Sequence, residues 1–284
     1  MMEKASSLSV KSYLQKFLDR TGFYQRVKAS WVYDFYWRIA DRRIIDDRRQ
    51  EESFYRRVLQ GLREGDLIFD VGANRGDKSD IFLRLGASVV AVEPDEASQE
   101  ILKQRFLQYR LKKKRLVIVP KAASDQCSTQ RMLIDVPGSW MNTLSQKWAE
   151  TLRNDDKRFG HRLDFGRWKE VETVSIEQLV SDYGLPFFVK IDVEGHELSV
   201  LRGMQRPVPY LSFEVNLPEF RPEGVACVQT LRRLDEEGRF NYTTDTRRGL
   251  LVARWLGPDE FLAVVNSCAD PSMEVFWKAS VGTR

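Results

Sequence analysis

Short runs of β-branched and aromatic residues alternate with segments of helical periodicity over most of this chain. Five such runs are present, at residues 67–71, 88–93, 116–120, 186–192 and 210–215. A helix between two consecutive strands returns the chain to the same end of the sheet, so such strands pair in parallel with helices on both faces. The alternation therefore predicts an α/β fold with a Rossmann-like, mostly parallel sheet.

Two regions interrupt this alternation. Between residues 126 and 175, two further strand patterns flank a long polar and charged stretch. A connection of that length inside a compact domain is usually a functional loop or an insert. We therefore expect residues 140–170 to form an insert or an acceptor-side loop. The C-terminal residues predict a hairpin-like end to the sheet, with a helix near residues 257–266.

The first part of the chain has a different character. Residues 8–62 show helical periodicity with many aromatic and basic side chains. We expect an N-terminal helical extension over residues 1–62, followed by the α/β domain over residues 63–284. The extension is interpreted as helices packed on the domain or on a second subunit. Contact of this basic, amphipathic arm with an anionic membrane surface and a lid over the acceptor are the alternatives.

Composition limits the other classes of protein. The 284 residues carry a formal net charge of +4, which is too small an excess to predict a nucleic-acid partner. Three cysteines, far apart and without a C-x-x-C pair, predict neither a zinc ribbon nor a disulfide framework and fit a reducing compartment. The N-terminal residues lack a secretory signal pattern, and no apolar run is long enough to span a membrane. We therefore expect a cytoplasmic enzyme.

The segment "LIFDVGANRGDKSD" at residues 67–80 predicts a strand, a glycine turn and the start of a helix. Gly72 and Gly76 permit a tight turn and a close approach of a ligand, and Asn74 tolerates a positive φ better than most residues do. Asp70 at the end of the strand would repel a pyrophosphate and would suit a ligand that carries an ammonium or sulfonium group. No Walker pattern G-x-x-x-x-G-K-[ST] is present, which disfavours a nucleoside triphosphate.

A second acidic residue completes this pattern. Glu93 ends the next predicted strand, about 20 residues after the turn, where a carboxylate can accept hydrogen bonds from both ribose hydroxyls of an adenosine. Asp70, Gly72, Gly76 and Glu93, in strand–turn–helix–strand order, therefore predict a binding site for an adenosine-containing, positively charged cofactor.

In combination, the motifs of this chain resemble those of the FkbM family of S-adenosylmethionine-dependent methyltransferases. The resemblance covers roughly residues 60–280 and rests on "GDLIFDVGANRGDKS", "AVEPD", "KAASD", "VKIDVEGHELSVLRGM" and "LSFEVN", in that order. It does not cover the N-terminal arm or the stretch 140–170. One departure is the pair Ile176–Glu177, where the family often has Leu-Asp. The resemblance implies a seven-stranded fold and S-adenosyl-L-methionine as the cofactor.

The resemblance also implies roles for individual residues. Backbone atoms of Gly72, Asn74 and Gly76 would line the methionine end of the cofactor, and Asp70 would act near its amino group, directly or through water. Glu93 would hold the ribose. The residues expected to flank the adenosine or lie against the adenine are Pro94, Asp95, Ala123, Ser124 and Asp125.

The chemistry is expected at the end of the strand "FFVKID", which should lie beside the first strand. A methyl transfer to an alcohol requires alignment of the acceptor and a base that takes its proton. Asp192, His196 and Glu214 are the candidate catalytic residues, and capping of the following helix is the alternative role for Glu194. Carboxylates at one edge could hold a divalent cation, but the spacing does not indicate a metal site and none is predicted.

The leading hypothesis is an O-methyltransferase. The resemblance implies a small-molecule or glycan acceptor, such as a sugar hydroxyl of a glycan or glycolipid, or a secondary metabolite. An RNA or DNA methyltransferase is a second hypothesis, disfavoured because no N-P-P-Y or D-P-P-Y tetrapeptide and no Pro-Cys pair is present. A non-catalytic cofactor-binding or scaffold protein and an NAD(P)-dependent dehydrogenase remain as further alternatives. The oligomeric state stays open, with a homo-oligomer among the expectations.

Overall fold

The computed structural model describes residues 42–111, 115–155 and 163–280 of the chain. The strands are β1 (Leu67–Val71), β2 (Ser88–Val92), β3 (Leu116–Val119), β4 (Ala122–Ala123), β5 (Thr129–Ile134), β6 (Arg167–Val174), β7 (Phe188–Ile191), β8 (Tyr210–Asn216), β9 (Arg239–Thr243) and β10 (Ser272–Lys278). The helices are α1 (Arg42–Val58), α2 (Asp77–Arg84), α3 (Glu96–Arg105), α4 (Leu107–Leu111), α5 (Gln146–Asn154), α6 (Ile176–Tyr183), α7 (Glu197–Arg202), α8 (Arg221–Leu234) and α9 (Pro258–Ser267), with a 3₁₀ turn at Thr246–Arg248.

Seven strands form one sheet in the order β3-β2-β1-β7-β8-β10-β9. The β1 strand pairs in parallel with β2 on one side and with β7 on the other, and β7 pairs in parallel with β8. The expected α/β fold with a seven-stranded, mostly parallel sheet is confirmed. Because β1 occupies the centre, its turn and the segment after β7 lie side by side at the carboxyl edge, where open α/β sheets bind their ligands.

The C-terminal part of the sheet is antiparallel. The β10 strand inserts between β8 and β9 and runs antiparallel to both. The predicted hairpin-like end is therefore a pair of adjacent antiparallel strands, but the chain between them contains the 3₁₀ turn and α9 rather than a tight turn. Helix α9 covers the residues predicted to be helical near 257–266.

The region between β3 and α6 forms a separate small layer. The β4, β6 and β5 strands make a three-stranded sheet in that order, in which β5 and β6 are antiparallel. Helix α5 lies between them in sequence, and its buried face carries Trp148, Ala149 and Leu152. This layer stands beside the carboxyl edge of the large sheet, where its loops can contribute to a ligand site.

Helix α1 packs directly on the sheet. Phe54 and Tyr55 are buried against Phe82 of α2, Phe188 of β7 and Phe276 of β10, with Tyr55 and Phe82 in an edge-to-face contact at 5.1 Å. Aromatic pairs in this geometry add to the free energy of area burial. The division of the chain near residue 62 stays a prediction, because residues 1–41, which include most of the predicted arm, lie outside the described residues. No helix in the described part of the chain is long and apolar enough to cross a membrane.

Candidate active site

The glycine turn after β1 packs directly against the end of β7. The amides of Gly72 and Ala73 both donate to the carbonyl of Val92, at 3.0 and 3.1 Å. Gly72 has a φ of 82°, and a β-carbon at this position would lie 1.7 Å from the carbonyl oxygen of Asp192. Only glycine permits this approach, because any side chain would displace the backbone of the neighbouring strand. The turn thus brings the motif at Gly72 into contact with the motif at Asp192, although the two are about 120 residues apart in the sequence.

Glu93 closes one side of the turn. Its two carboxylate oxygens accept hydrogen bonds from the amides of Asn74 and Asp95, both at 2.7 Å. Asn74 has a φ of 46°, which aims its amide at this carboxylate. Burial raises the pKa of Glu93 to about 7, although the two amide hydrogen bonds oppose the shift. Glu93 is therefore a preorganised acceptor with lone pairs still available toward the cleft.

Asp70 lies beneath the turn rather than in the cleft. Its side chain is buried, and one oxygen accepts a 2.6 Å hydrogen bond from the hydroxyl of Ser79. Burial raises the pKa of Asp70, and the charge of Lys190 opposes the shift. The other oxygen, Oδ1, is buried without a hydrogen-bond partner in the described residues. Asp70 is expected to interact with the amino group of the cofactor either directly or through a water molecule. Its buried position favours the water-mediated interaction.

Asp95 has a different position from the one expected. Its carboxylate caps α3 by accepting from the amide of Ser98 at 3.0 Å. It also accepts from the amide of Gly138 at 2.9 Å and from the side chain of Asn142 at 3.1 Å. Asp95 is thus a helix cap and an anchor for the loop that precedes α5, because its oxygens are committed to these donors. Its neighbour Pro94 lines the cleft, whereas Asp95 does not.

One cleft at the carboxyl edge gathers seven of the predicted site residues: Gly72, Asn74, Glu93, Pro94, Ala123, Asp192 and His196. Gly76 lies behind the turn, where a β-carbon would meet Phe106 and Leu102. Ala122 and Glu194, which the sequence analysis also considered, line the cleft too. The cleft wall further contains residues that sequence reasoning missed, namely Met132, Ser139, Trp140, Asn142, Thr143, Leu144 and Val193. Five of them belong to the loop before α5, namely Ser139, Trp140, Asn142, Thr143 and Leu144. The expected acceptor-side stretch 140–170 overlaps this loop.

Ser124 and Asp125 support His196 from outside the cleft. The Ser124 hydroxyl lies 3.1 Å from Nε2 of His196 and 3.2 Å from the Asp125 carboxylate, and it accepts from Gln130 at 3.0 Å. A hydroxyl has one proton, and a carboxylate can only accept it. If the Ser124 hydroxyl donates its proton in a hydrogen bond to Asp125, it must accept a hydrogen bond from Nε2 of His196. In that tautomer Nε2 carries the proton and Nδ1 is the basic nitrogen. Burial lowers the pKa of His196, and the charge of Asp125 opposes the shift.

Three carboxylates meet where β7 and β8 end. Asp192, Glu194 and Glu214 have carboxylate oxygens that all lie within 4.8 Å of one another. We call this group the carboxylate cluster. Asp192 forms a 2.7 Å ion pair with the buried Lys190. Burial alone would lower the pKa of Lys190, but the charges of the neighbouring carboxylates raise it. Burial, with the like charge of Asp192 adding to it, raises the pKa of Glu214 to about 8 and that of Glu194 well above its usual value.

Glu194 does not cap the following helix, contrary to the alternative drawn from sequence. No side chain among the described residues caps this helix, because its N-cap residue His196 makes no side-chain cap hydrogen bond. The Glu197 carboxylate accepts from the amides of Val193 and Gly195 in the preceding loop, at 3.0 and 3.2 Å. Glu194 instead has a left-handed backbone with a φ of 54° and accepts a 2.8 Å hydrogen bond from the indole of Trp148. Such a conformation is unfavourable for a non-glycine residue and persists only where surrounding contacts hold it. Here α5 turns the Glu194 side chain toward the cluster.

Comparison with known proteins identifies the family. The methyltransferase FkbM domain family matches residues 70–238, which is more than half of the chain. The chain belongs to the FkbM methyltransferase family. Residues 70–238 are therefore a methyltransferase FkbM domain, and S-adenosyl-L-methionine is the cofactor of that family. The chain spans less than two thirds of the length of the first two relatives that it matches.

Several relatives accompany this assignment. The chain is 26% identical over 182 residues to a hexuronic acid methyltransferase, AglP, of Haloferax volcanii, a match that spans 60% of this chain and 63% of that protein. The crystal structure of a methyltransferase FkbM from Methylobacillus flagellatus aligns with a TM-score of 0.48 at 15% identity, over 80% of this chain and 47% of that chain. A TehB-like S-adenosylmethionine-dependent methyltransferase from Corynebacterium glutamicum aligns with a TM-score of 0.40 at 9% identity, over 81% of this chain and 88% of that chain.

The residues of this FkbM methyltransferase fit the cofactor of the family. The described lining of the cleft contains three carboxylates and no lysine or arginine, so its charge suits a cationic ligand and opposes a pyrophosphate. The unpartnered oxygen of Asp70, buried beneath the turn and outside the cleft lining, would interact with an ammonium group through water. Glu93 would hold the ribose hydroxyls, and Pro94 and Ala123 would lie against the adenosine.

Proposed function

We propose that this FkbM methyltransferase methylates an alcohol oxygen, most directly a hydroxyl of a sugar. The carboxylate cluster at the end of the cleft is the observation that carries this proposal. S-adenosyl-L-methionine supplies a methyl group on a positively charged sulfur, which leaves readily. An alcohol acceptor must also lose a proton, and the cluster provides carboxylates with raised pKa values for that task.

We assign the proton acceptor to Glu214. Its side chain is partly exposed and has no hydrogen-bond partner among the described residues, whereas Asp192 is paired with Lys190 and Glu194 with Trp148. A pKa near 8 makes Glu214 a stronger base than an ordinary carboxylate. Asp192 is paired with Lys190, and its like charge adds to burial in raising the pKa of Glu214. His196 faces the same cleft as a second polar contact for the acceptor.

The relative from Haloferax volcanii supports a sugar as the methyl acceptor, because its name describes a hexuronic acid methyltransferase. A nucleic-acid acceptor receives no comparable support, since the described residues of the cleft include no cation to bind phosphate. Oxygen is the expected target because carboxylates near a hydroxyl can remove its proton, which a neutral amine acceptor does not require.

The test is a transfer assay with S-adenosyl-L-methionine labelled with ¹³C at the methyl group. The protein is incubated with a panel of glycosides and glycolipids, and the labelled product is analysed by heteronuclear NMR. A methyl carbon correlated through oxygen to a sugar carbon supports the proposal. Label found only on nitrogen, or no transfer to any hydroxylated compound by protein that binds S-adenosylhomocysteine, would exclude it.

A further inference from the structure

A second cavity lies next to the carboxylate cluster, beside the cofactor cleft. It is bordered by the ends of β8 and β9 and the start of β10, and Glu214 is part of its wall. In the sheet, Glu274 of β10 is directly opposite Glu214 of β8 and Thr243 of β9, so the three residues form one row across adjacent strands. The carboxylate of Glu214 is also within 4.8 Å of those of Asp192 and Glu194, which line the cleft. The cluster therefore borders both spaces.

This cavity contains hydrogen-bonding groups that the protein leaves unused. Thr244, Thr246 and Ser272 line it, are partly exposed, and have no side-chain hydrogen bond within the described part of the chain. Thr243, by contrast, uses its hydroxyl locally, donating to the carbonyl of Asp245 at 2.8 Å. Three unused hydroxyls and the unpaired carboxylate of Glu214 give one small space both donors and acceptors, a combination that suits a ligand with several hydroxyl groups.

The charges of the cavity oppose an anionic ligand. Its two cations are already paired, Lys78 with Glu51 and Arg247 with Asp245, the latter at 2.7 Å. Three acidic side chains line the wall, those of Glu214, Asp245 and Glu274, and they outnumber the two cations in charge wherever Glu214 is ionised, as its role as a base requires. A carboxylate or phosphate on the ligand would meet like charge without a free partner, which is costly in a partly buried site. A neutral hydroxylated group meets no such penalty.

We infer that this cavity is the acceptor subsite and that it binds a neutral glycosyl group. The inference rests on the proposed function and narrows it. A sugar held in the cavity presents a hydroxyl at Glu214. That O–H bond breaks as the proton passes to a Glu214 oxygen, and the alcohol oxygen forms its bond to the methyl carbon as the carbon–sulfur bond breaks, with its electron pair left on sulfur. The preference for a neutral sugar distinguishes this chain from its relative in Haloferax volcanii, whose name describes a hexuronic acid as the acceptor.

Hydroxyl deletions on the cavity wall test the inference. The variants are Ser272→Ala and Thr244→Val, and the matched control is Ser267→Ala, whose exposed hydroxyl bonds only within α9. The probes are p-nitrophenyl hexosides and the corresponding p-nitrophenyl hexuronides. We measure KM for each glycoside, saturation-transfer NMR of each glycoside with protein saturated in S-adenosylhomocysteine, and the Kd of S-adenosylhomocysteine by calorimetry.

The expected result is a lower KM for neutral hexosides than for hexuronides. Each cavity variant should raise the hexoside KM roughly 3- to 10-fold, the loss expected for one hydrogen bond, with cofactor affinity and the control unchanged. A hexuronide preference, or an unaltered hexoside KM in both variants, would overturn the cavity assignment while leaving sugar methylation intact. Failure of wild-type protein to bind or methylate any glycoside would instead reject the sugar acceptor itself.

Discussion

Glu93 combines two features that usually oppose each other, burial and a requirement for charge. Both of its carboxylate oxygens accept hydrogen bonds from backbone amides. Its pKa lies near 7 because burial raises the pKa more than those hydrogen bonds lower it. The ionised form accepts hydrogen bonds from two ribose hydroxyls, whereas protonation uses one oxygen as a donor. Since an acid with a pKa near 7 ionises as the pH rises, we expect S-adenosylhomocysteine to bind more tightly at pH 8 than at pH 6.

Glu93→Gln should weaken this binding by about 10-fold at pH 8 and remove its dependence on pH, because an amide keeps the shape but loses the charge. Calorimetric titration at both pH values measures the effect, and Glu96→Gln, at an exposed position, is the control. Equal affinities for wild type and Glu93→Gln at pH 8 would mean that the ribose is held elsewhere.

At the scale of elements, the turn after β1 depends on contact as well as on backbone conformation. Gly65 and Gly72 have similar φ values, 89° and 82°, but a β-carbon would meet nothing within 4 Å at Gly65 and would clash with Asp192 at Gly72. Gly65→Ala should therefore cost about 1 kcal/mol of the free energy of unfolding, and Gly72→Ala more than about 3 kcal/mol. Urea denaturation compares the two. Similar losses would show that the turn does not press on β7.

Helix α5 is expected to stabilise the cluster through one indole. Trp148 is 1% exposed and donates to Glu194, while Trp168 of β6 is 52% exposed. Trp148→Phe leaves a buried carboxylate without its donor, so the free energy of unfolding should fall by roughly 2–3 kcal/mol. Trp168→Phe should change it by less than about 0.5 kcal/mol. The assigned hydrogen bond would be disproved by equal, small effects of both substitutions in denaturant titrations.

Sequence and structure agree where the determinants are local and differ where they are distant. The turn at Gly72, the strand ends at Glu93 and Asp192, and the order of the central strands follow from patterns within a few residues or from the resemblance. Trp140, which is 55% exposed in the cleft wall, has no such pattern. Its loop is positioned by Asp95, more than 40 residues earlier in the chain. Capping by Glu194, one of the roles that the sequence leaves open, does not occur, because its left-handed backbone depends on contacts from α5.

At the scale of the whole molecule, several buried carboxylates share one direction of pKa shift. Burial raises the pKa of Glu93 and Glu197 to about 7 and that of Glu214 to about 8. Between the ordinary carboxyl pKa and these values, the folded chain holds protons that the unfolded chain has released. Stability therefore falls as the pH rises through this window.

We expect the free energy of unfolding, without cofactor, to decrease by several kcal/mol between pH 6 and pH 8, with an upper bound of about 5 kcal/mol if the three groups titrate independently. Urea titrations at intervals across that range measure the slope. Glu197→Gln should flatten it, because the amide oxygen still accepts from the loop without a buried charge. A stability that rises between pH 6 and pH 8 would contradict the assigned pKa shifts.

Methylation of an alcohol at this site requires a base at Glu214, at the border of the cofactor cleft and the neighbouring cavity. The most direct test is the pH dependence of kcat/KM for a hydroxylated acceptor, measured for wild type and Glu214→Gln under identical conditions. Because the base must be ionised, kcat/KM for wild type should rise with pH to a plateau, with a midpoint near 8 that belongs to the cluster. Glu214→Gln should lose at least about 100-fold in kcat and lack this midpoint, while S-adenosylhomocysteine binds normally. A Glu214→Gln enzyme with full kcat and an unchanged profile would contradict the account.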